Sequence, residues 1–223
     1  MESGSNNSAL KILIALLVIV VILAGVKYFI DLGKLQDSQS YLNSLSLVLN
    51  DVDSQTASLP VIKTSDPRLG SGQADNIIFF FGDFECPFCK QLADSLRELY
   101  NDYSDRLLIV WKDLPNPSHP NSQSAAIAAR CAQNQDKFWE YHQQLYDNQA
   151  NLNRDIYLQI GQNLDLDIGK FERCLDNQET LVYVEDGFQE GLNLKVDGTP
   201  YLFFNGQRID QAVDAKTLEK LIK

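Results

Sequence analysis

The chain has 223 residues, of which 44% are hydrophobic, including 11 Phe and 9 Tyr. That length and composition can fill one ordinary domain with a sizeable core, and they exclude a wholly disordered chain. The net charge of −11 excludes a nucleic-acid partner, because binding to phosphates requires a positive surface. The same charge gives no attraction to anionic lipids, so any membrane contact has to be hydrophobic.

An unbroken apolar stretch lies near the amino terminus. Every residue from 12 to 26 is apolar, and the stretch widens to residues 9–30 if Lys11 and Lys27 extend their ammonium groups to the membrane surface. About 22 helical residues at ~1.5 Å each span roughly 33 Å, which crosses the hydrocarbon core of a bilayer. The sequence therefore predicts a transmembrane signal anchor over residues 9–30, preceded by a short tail of residues 1–8.

Two other interpretations of this stretch remain open. It can be a cleaved signal peptide whose last small residue before the cut is Ala24, or a buried helix of a soluble protein. The next segment, residues 31–60, is mostly polar, rich in serine and free of cysteine, which is typical of a stalk. Its leucines repeat over barely two heptads, which favours a short amphipathic helix on the domain over a dimerising coiled coil. The folded domain is expected to span residues 61–223.

The first elements predicted in this domain are a strand, a helix and a second strand. Residues 76–82 and 106–113 are short apolar runs, as in buried strands, while residues 86–103 place leucines on one face of a helix. This order within about 38 residues predicts a βαβ unit with parallel strands and a right-handed crossover.

A proline-rich turn then precedes a long block without strand signals. We expect helices over residues 122–131, 136–148, 155–164, 168–176 and 178–192. The block predicts an all-helical insertion over about residues 120–192.

The pattern of a β-hairpin returns near the carboxyl terminus. Strand-like residues 201–204 and 207–209 flank Asn205-Gly206, a pair typical of a type I′ turn because both positions need a positive φ. A last helix is expected over residues 215–222.

The chemistry-bearing motif is Cys86-Pro87-Phe88-Cys89, placed where the first strand passes into the first helix. Cysteines three apart in a helix's first turn have Cα atoms about 5–5.5 Å apart, within disulfide reach. Unpaired backbone N–H groups and the helix dipole favour the thiolate at Cys86, and Pro87 suits the first helical position. We therefore predict that Cys86 is the exposed nucleophile and that Cys89 resolves the mixed disulfide. A static disulfide or half of a zinc site are the alternatives.

A second feature is the sequence Gly198-Thr199-Pro200 before the strand at 201–204. A proline at the entry of a strand often follows a cis peptide bond in a tight turn. Such a loop beside the cysteines would offer Thr199 and Pro200 to an extended substrate, next to Pro87 and Phe88. An ordinary trans proline at a strand start is the alternative.

A metal site is not expected. The four cysteines at 86, 89, 131 and 174 do not form the two close pairs of a zinc ribbon, and the chain has only two histidines, His119 and His142. We interpret both histidines as surface or packing residues.

The assembled motifs resemble the DsbA-like branch of the thioredoxin superfamily, which has a helical insertion. The resemblance covers about 70% of the chain and rests on these stretches: SDPRLG, FFFGDFECPFCKQ, KDLPNPSHP, AAIAARCA, DKFWEYHQQLYDNQ, FERCLD and VDGTPYLFFNGQ. It implies an α/β thioredoxin-like fold and an oxidoreductase acting on cysteines of exported proteins, without a bound cofactor. It also implies a cis-proline loop at Thr199-Pro200 and a structural disulfide between Cys131 and Cys174. Two separate buried thiols remain the alternative to that disulfide.

Two positions depart from the family pattern. Family members often carry a buried acid six residues before the first cysteine, where this chain has Phe80. Asp83 and Glu85 lie nearer to the cysteines, but they flank the site. Phe88 replaces the His of the strongly oxidising members, so a less extreme oxidant is expected.

The sequence thus predicts a membrane-anchored oxidase with its catalytic domain on the extracytoplasmic side, since a disulfide-bearing domain belongs in an oxidising compartment. We expect it to be reoxidised by a membrane partner of the DsbB or vitamin K epoxide reductase type. A disulfide reductase or isomerase shares every motif, and a tethered peptide-binding chaperone is an alternative of a different class.

Overall fold

The computed structural model describes residues 59–209 and 215–222, together with Lys27. The predicted tail and anchor, apart from Lys27, and nearly all of the predicted stalk lie outside the described residues. Within the described residues, no helix has both the length and the apolar character that a bilayer crossing requires.

The centre of the domain is a five-stranded sheet with the order β1-β3-β2-β4-β5. Strands β2 and β3 are parallel, and the outer strands β1, β4 and β5 each run antiparallel to their neighbour. The strands are β1 (Arg68–Gly70), β2 (Asn76–Gly82), β3 (Leu107–Asp113), β4 (Tyr201–Phe204) and β5 (Gln207–Ile209).

The sheet is buried on both faces, which explains why β2 is apolar throughout rather than alternating with polar residues. Along β2, Ile78 and Phe80 belong to the core on one face, whereas Phe79 and Phe81 belong to the core on the other. Strand geometry sends successive side chains to opposite faces, so four consecutive apolar residues fill two cores.

Helices cover both faces of the sheet. The helix α1 connects the parallel strands, as the predicted βαβ unit requires. Between β3 and β4, where the sequence predicted the insertion, the fully described segment contains five α-helices and one 3₁₀ turn at Gln149–Asn151. The α-helices are α1 (Pro87–Tyr103), α2 (Ser122–Gln133), α3 (Phe138–Asp147), α4 (Arg154–Asn163), α5 (Ile168–Asp176), α6 (Leu181–Asn193) and α7 (Ala215–Ile222).

The hairpin between β4 and β5 has the predicted turn. Asn205 has a φ of 48° and Gly206 a φ of 78°, so both central residues adopt the positive values that a type I′ turn needs. The short strand β1 was not predicted. It has three residues, and it exists because it pairs with β3, which is distant in sequence.

The insertion is held together by a disulfide between Cys131 of α2 and Cys174 of α5. Its S–S distance is 2.03 Å and its Cα–Cα distance is 5.8 Å. This bond joins two helices that are separated along the chain by α3 and α4.

A buried lysine attaches the start of the domain to the sheet. The Nζ of Lys112 in β3 donates to the carbonyl oxygen of Val61, to Oδ2 of Asp66 and to Oε2 of Glu190, at 2.7, 2.7 and 2.9 Å. These three acceptors satisfy the three donors of an ammonium group that has no contact with solvent.

Candidate redox site

The motif cysteines lie at the amino-terminal end of α1, as the sequence predicted. Cys86 is the N-cap residue, with an extended backbone, and Pro87 occupies the first helical position. The carbonyl oxygen of Cys86 accepts the N–H groups of Cys89 and Lys90, at 3.1 and 3.3 Å. The helix therefore starts directly after the first cysteine, and both sulfurs belong to one helical turn.

Cys86 is a buried residue, so the prediction that this cysteine is exposed is wrong. It is 5% exposed, because Thr199 lies against it with the carbonyl oxygen 3.3 Å from Sγ. Cys89 is fully buried. Both are free thiols in the structure, so the site is shown in its dithiol form.

The two thiols have opposite pKa shifts. The hydrogen bond from the Cys89 side chain is the largest cause that lowers the pKa of Cys86 to about 6, and backbone hydrogen bonds of Cys89 and Phe88 and a side-chain hydrogen bond of Thr199 act in the same direction. Burial raises the pKa of Cys89 well above its ordinary value, and its contact with Cys86 raises it further. Near neutral pH the pair therefore holds one thiolate and one thiol, with the charge on the more accessible sulfur.

The loop beside the cysteines contains the predicted proline. The Thr199–Pro200 peptide bond is cis. Phe88, between the cysteines, is 64% exposed and presents an apolar ring next to Cys86. The cis-proline loop thus lies against Cys86, with Phe88 in the same helical turn.

Phe80, six residues before Cys86 where the resemblance implied an acid, is buried in the core. Its ring packs edge-on against Trp111, with centroids 5.0 Å apart, so the site has no carboxylate there. Asp83 and Glu85 do not replace it. The carboxylate of Asp83 binds Asn116, His119 and Ser122, and that of Glu85 binds Asn121.

Sequence reasoning missed three contacts that the insertion makes with the redox motif. Tyr146 of α3 is fully buried, and the pKa of its hydroxyl is raised by burial and by the neighbouring Cys89. Gln149 donates to the carbonyl oxygens of Phe84 and Cys86 at 2.8 and 2.9 Å, and Lys90 donates to the carbonyl oxygen of Tyr146 at 2.6 Å. The sequence did contain a signal for Tyr146, because His142 and Tyr146 lie four positions apart and therefore on one face of the helix.

The two histidines have different surroundings. His142 is a packing residue, as predicted, with the rings of Trp111 and Tyr146 4.8 and 4.9 Å from its own. His119 lies in the proline-rich turn, and its Nδ1 is 2.6 Å from Oδ2 of Asp83. Among the described residues, no group of three or more His, Cys, Asp or Glu side chains is arranged to hold a metal ion.

Comparison with known proteins identifies the family. A sequence model of the family described as Thioredoxin (Thioredoxin_4) matches residues 63–223, more than half of the chain. The chain belongs to the thioredoxin family.

Solved structures show the same fold around the site of this thioredoxin-family protein. The thiol-disulfide exchange protein alpha-DsbA2 from Wolbachia pipientis has a TM-score of 0.65 and 22% identity, over 72% of this chain and 87% of that one. Oxidised BdbD from Bacillus subtilis has a TM-score of 0.66 and 20% identity, over 74% of this chain and 94% of that one. These structures therefore share the fold of this chain over about three quarters of its length.

The curated proteins that are similar to this chain in sequence are much longer than the chain. The Na(+)/H(+) antiporter NhaA 1 of Salinispora arenicola is 35% identical over 151 residues, which are 67% of this chain and 23% of that protein. The Na(+)/H(+) antiporter NhaA 1 of Mycolicibacterium vanbaalenii is 30% identical over 167 residues, which are 74% of this chain and 27% of that protein. The chain thus spans about a quarter of the length of these relatives.

Proposed function

We propose that this thioredoxin-family protein is a membrane-anchored thiol–disulfide oxidoreductase that oxidises cysteine pairs of exported proteins on the extracytoplasmic side. The observation that carries the proposal is the placement of Cys86 and Cys89 in the first turn of α1, with Cys86 against Thr199 of the cis-proline loop. In this setting the pKa of Cys86 is lowered and that of Cys89 is raised. A sulfur that is stable as a thiolate is a good leaving group in disulfide exchange. A reduced form stabilised in this way gives an oxidising disulfide.

The reaction proceeds in two exchanges. A substrate thiolate attacks Sγ of Cys86 in the oxidised protein, the Cys86–Cys89 bond breaks, and Cys89 leaves as a thiolate that takes up a proton. The second substrate thiolate then attacks the substrate sulfur of this mixed disulfide and releases Cys86 as a thiolate. Two electrons pass from the substrate to the cysteine pair, and the substrate gains one disulfide.

Substrate recognition is proposed at the rim formed by Thr199, Pro200, Pro87 and Phe88. The exposed ring of Phe88 can contact apolar side chains, and the backbone of the Thr199-Pro200 loop can pair with an extended chain. Reoxidation requires an electron acceptor, which we propose to be a membrane partner of the DsbB or vitamin K epoxide reductase type.

The proposed location rests on the apolar residues 9–30 and on the disulfide of the insertion, a bond typical of oxidising compartments. The relatives named as Na(+)/H(+) antiporters add support, since a domain of this kind is there part of an ion transporter. The antiport activity itself does not follow for this chain, because the match covers only about a quarter of those proteins.

A redox titration of the full-length protein against glutathione, read by thiol trapping, tests the direction of electron flow. We expect a reduction potential between those of thioredoxin, about −270 mV, and DsbA, about −120 mV, because the Phe88 side chain donates no hydrogen bond to the thiolate. A potential at or below about −270 mV would overturn the oxidase and favour a reductase. Full activity of Cys86→Ala in cells would favour the peptide-binding chaperone instead.

A further inference from the structure

We propose that Asp83 is a positioning residue for both motif cysteines and that His119 holds Asp83 in place, an inference that rests on the proposed function. Asp83 follows β2 directly and lies three residues before Cys86. It was predicted only to flank the site, and His119 was predicted to be a surface or packing residue.

The backbone of Asp83 contacts the groups that determine the state of the sulfurs. Its carbonyl oxygen accepts the N–H of Cys86 at 3.1 Å and the hydroxyl of Tyr146 at 3.3 Å. A backbone hydrogen bond from Asp83 also lowers the pKa of Cys89, against the larger effect of burial. A rotation of this residue would therefore disturb the neighbourhood of both cysteines at once.

The side chain of Asp83 prevents such a rotation. Its carboxylate is buried, and each oxygen has two partners. Oδ1 accepts the N–H of Glu85 at 2.9 Å and Oγ of Ser122 at 2.6 Å, while Oδ2 accepts the N–H of Asn116 at 3.1 Å and contacts Nδ1 of His119 at 2.6 Å. Four contacts use the four lone-pair positions of the two carboxylate oxygens.

These contacts join two separate parts of the chain. Glu85 belongs to the redox loop itself, whereas Asn116, His119 and Ser122 belong to the segment that leads from β3 into the insertion. Glu85 adds a parallel connection, because its carboxylate accepts the backbone and side-chain N–H groups of Asn121 at 2.6 and 3.1 Å. The proline-rich turn thus fixes the loop that precedes the nucleophilic cysteine.

Within this set, His119 is the residue whose side-chain contact with Asp83 can be removed from the protein surface. Its contact with Asp83 is short, and 32% of its side chain is exposed, so it can be replaced without opening a cavity in the core. Its ring holds Oδ2 of a buried carboxylate close to the redox motif. Loss of that contact would free Asp83, whose carbonyl oxygen accepts the Cys86 N–H, and the disturbed turn would disfavour the Cys86 thiolate and so the reduced form.

Two nearly isosteric variants test the role of His119. His119→Asn keeps an N–H donor in the position of Nδ1, whereas His119→Leu has the same shape and no donor. We expect His119→Leu to raise the measured pKa of Cys86 and to move the glutathione equilibrium about three- to tenfold toward the protein disulfide, the size of one hydrogen bond. His119→Asn should lie between His119→Leu and the wild type.

The equilibrium with glutathione separates positioning from a structural role. A contact that only stabilises the fold lowers the melting temperature of the oxidised and reduced proteins equally and leaves their equilibrium unchanged. An unchanged equilibrium and an unchanged Cys86 pKa in His119→Leu would overturn the proposal, whatever happens to stability. If His119→Leu does not fold, Ser122→Ala removes the other side-chain donor and decides by the same criteria.

The wild type provides the control for the underlying function. If the wild-type protein does not exchange with glutathione, the proposed function fails before any variant is compared. If the wild type exchanges and the variants match it, only the positioning role is overturned.

Discussion

At the scale of single residues, two cysteines three positions apart acquire opposite properties from their surroundings. Cys86 stands at the end of α1, where the N–H of Cys89 and the Thr199 side chain stabilise its thiolate. Cys89 lies one turn inside, where burial disfavours any charge. The largest single cause that lowers the Cys86 pKa is the hydrogen bond from the Cys89 thiol, so each cysteine sets the state of the other.

This coupling predicts how replacement of Cys89 changes Cys86. In the reduced wild type, alkylation of Cys86 by iodoacetamide should rise with pH and reach half its maximal rate near pH 6, where the thiolate forms. Cys89→Ala should shift this midpoint upward, toward the value of an ordinary thiol, because the donor is lost. The measurement is the alkylation rate between pH 4 and pH 10.

Cys89→Ser is the matched control, since its hydroxyl keeps a donor at the same place. Its midpoint should stay below that of Cys89→Ala. Equal midpoints for the two variants would show that the Cys89 side chain does not stabilise the thiolate.

At the scale of elements, the helical insertion both covers the core and supports the redox turn. The 3₁₀ turn after α3 supplies Gln149, whose amide donates to two carbonyl oxygens of the redox loop. The disulfide fixes α2 against α5. The insertion is thus both attached to the redox motif and cross-linked within itself.

Removal of the cross-link should lower stability without removing reactivity. The bond closes a loop of about 44 residues, which contributes about 4 kcal/mol in the chain-entropy model. We expect Cys131→Ala with Cys174→Ala to lose about that much free energy of unfolding in urea, while the Cys86 alkylation profile stays unchanged. A variant that lacks Cys86 and Cys89 should still gain the mass of two hydrogens on full reduction.

The elements that the sequence predicted correctly are those with a strong local pattern. Strand β2, the helix α5 and the β4–β5 hairpin have the predicted bounds, because burial on both faces, a helical period and an Asn-Gly turn are written in consecutive residues. The helix α6 begins at Leu181 rather than at 178, since Gln178 has a φ of 51° and belongs to the turn after α5. The conformation of Gln178 depends on how α5 ends, and the periodic pattern of α6 carries no information about that end.

The reacting cysteines and the adjacent proline loop could be predicted from the sequence, whereas the contacts that hold them in place could not. Cys86, Cys89 and the Thr199-Pro200 loop follow from short motifs. The contact between His119 and Asp83 does not, because the two residues are 36 positions apart in the sequence. The burial of Lys112 in an apolar strand could not be predicted either, because its acceptors Asp66 and Glu190 lie far from it in the sequence.

At the scale of the whole molecule, one aromatic cluster joins the sheet to the insertion. His142 of α3 lies at its centre, in contact with the rings of Phe84, Trp111, Phe138 and Tyr146. No described residue offers its Nε2 a hydrogen-bond partner. Protonation of His142 would place a charge among apolar rings, so the folded protein favours the neutral form of this histidine.

Acid should therefore destabilise the protein through this residue. Burial lowers the pKa of His142 to about 3 in the folded state, against 6.5 as its ordinary value. Between these two values the unfolded chain binds a proton that the folded chain does not, so stability falls as the pH falls. At pH 5 the loss is about 2 kcal/mol relative to neutral pH.

His142→Phe fills the same space with a ring that does not titrate. In urea unfolding, the difference in unfolding free energy between pH 7 and pH 5 should be smaller in this variant than in the wild type by about that amount. His119 remains in the variant, so an unchanged pH dependence would assign the acid sensitivity to other groups and contradict this account of the aromatic cluster.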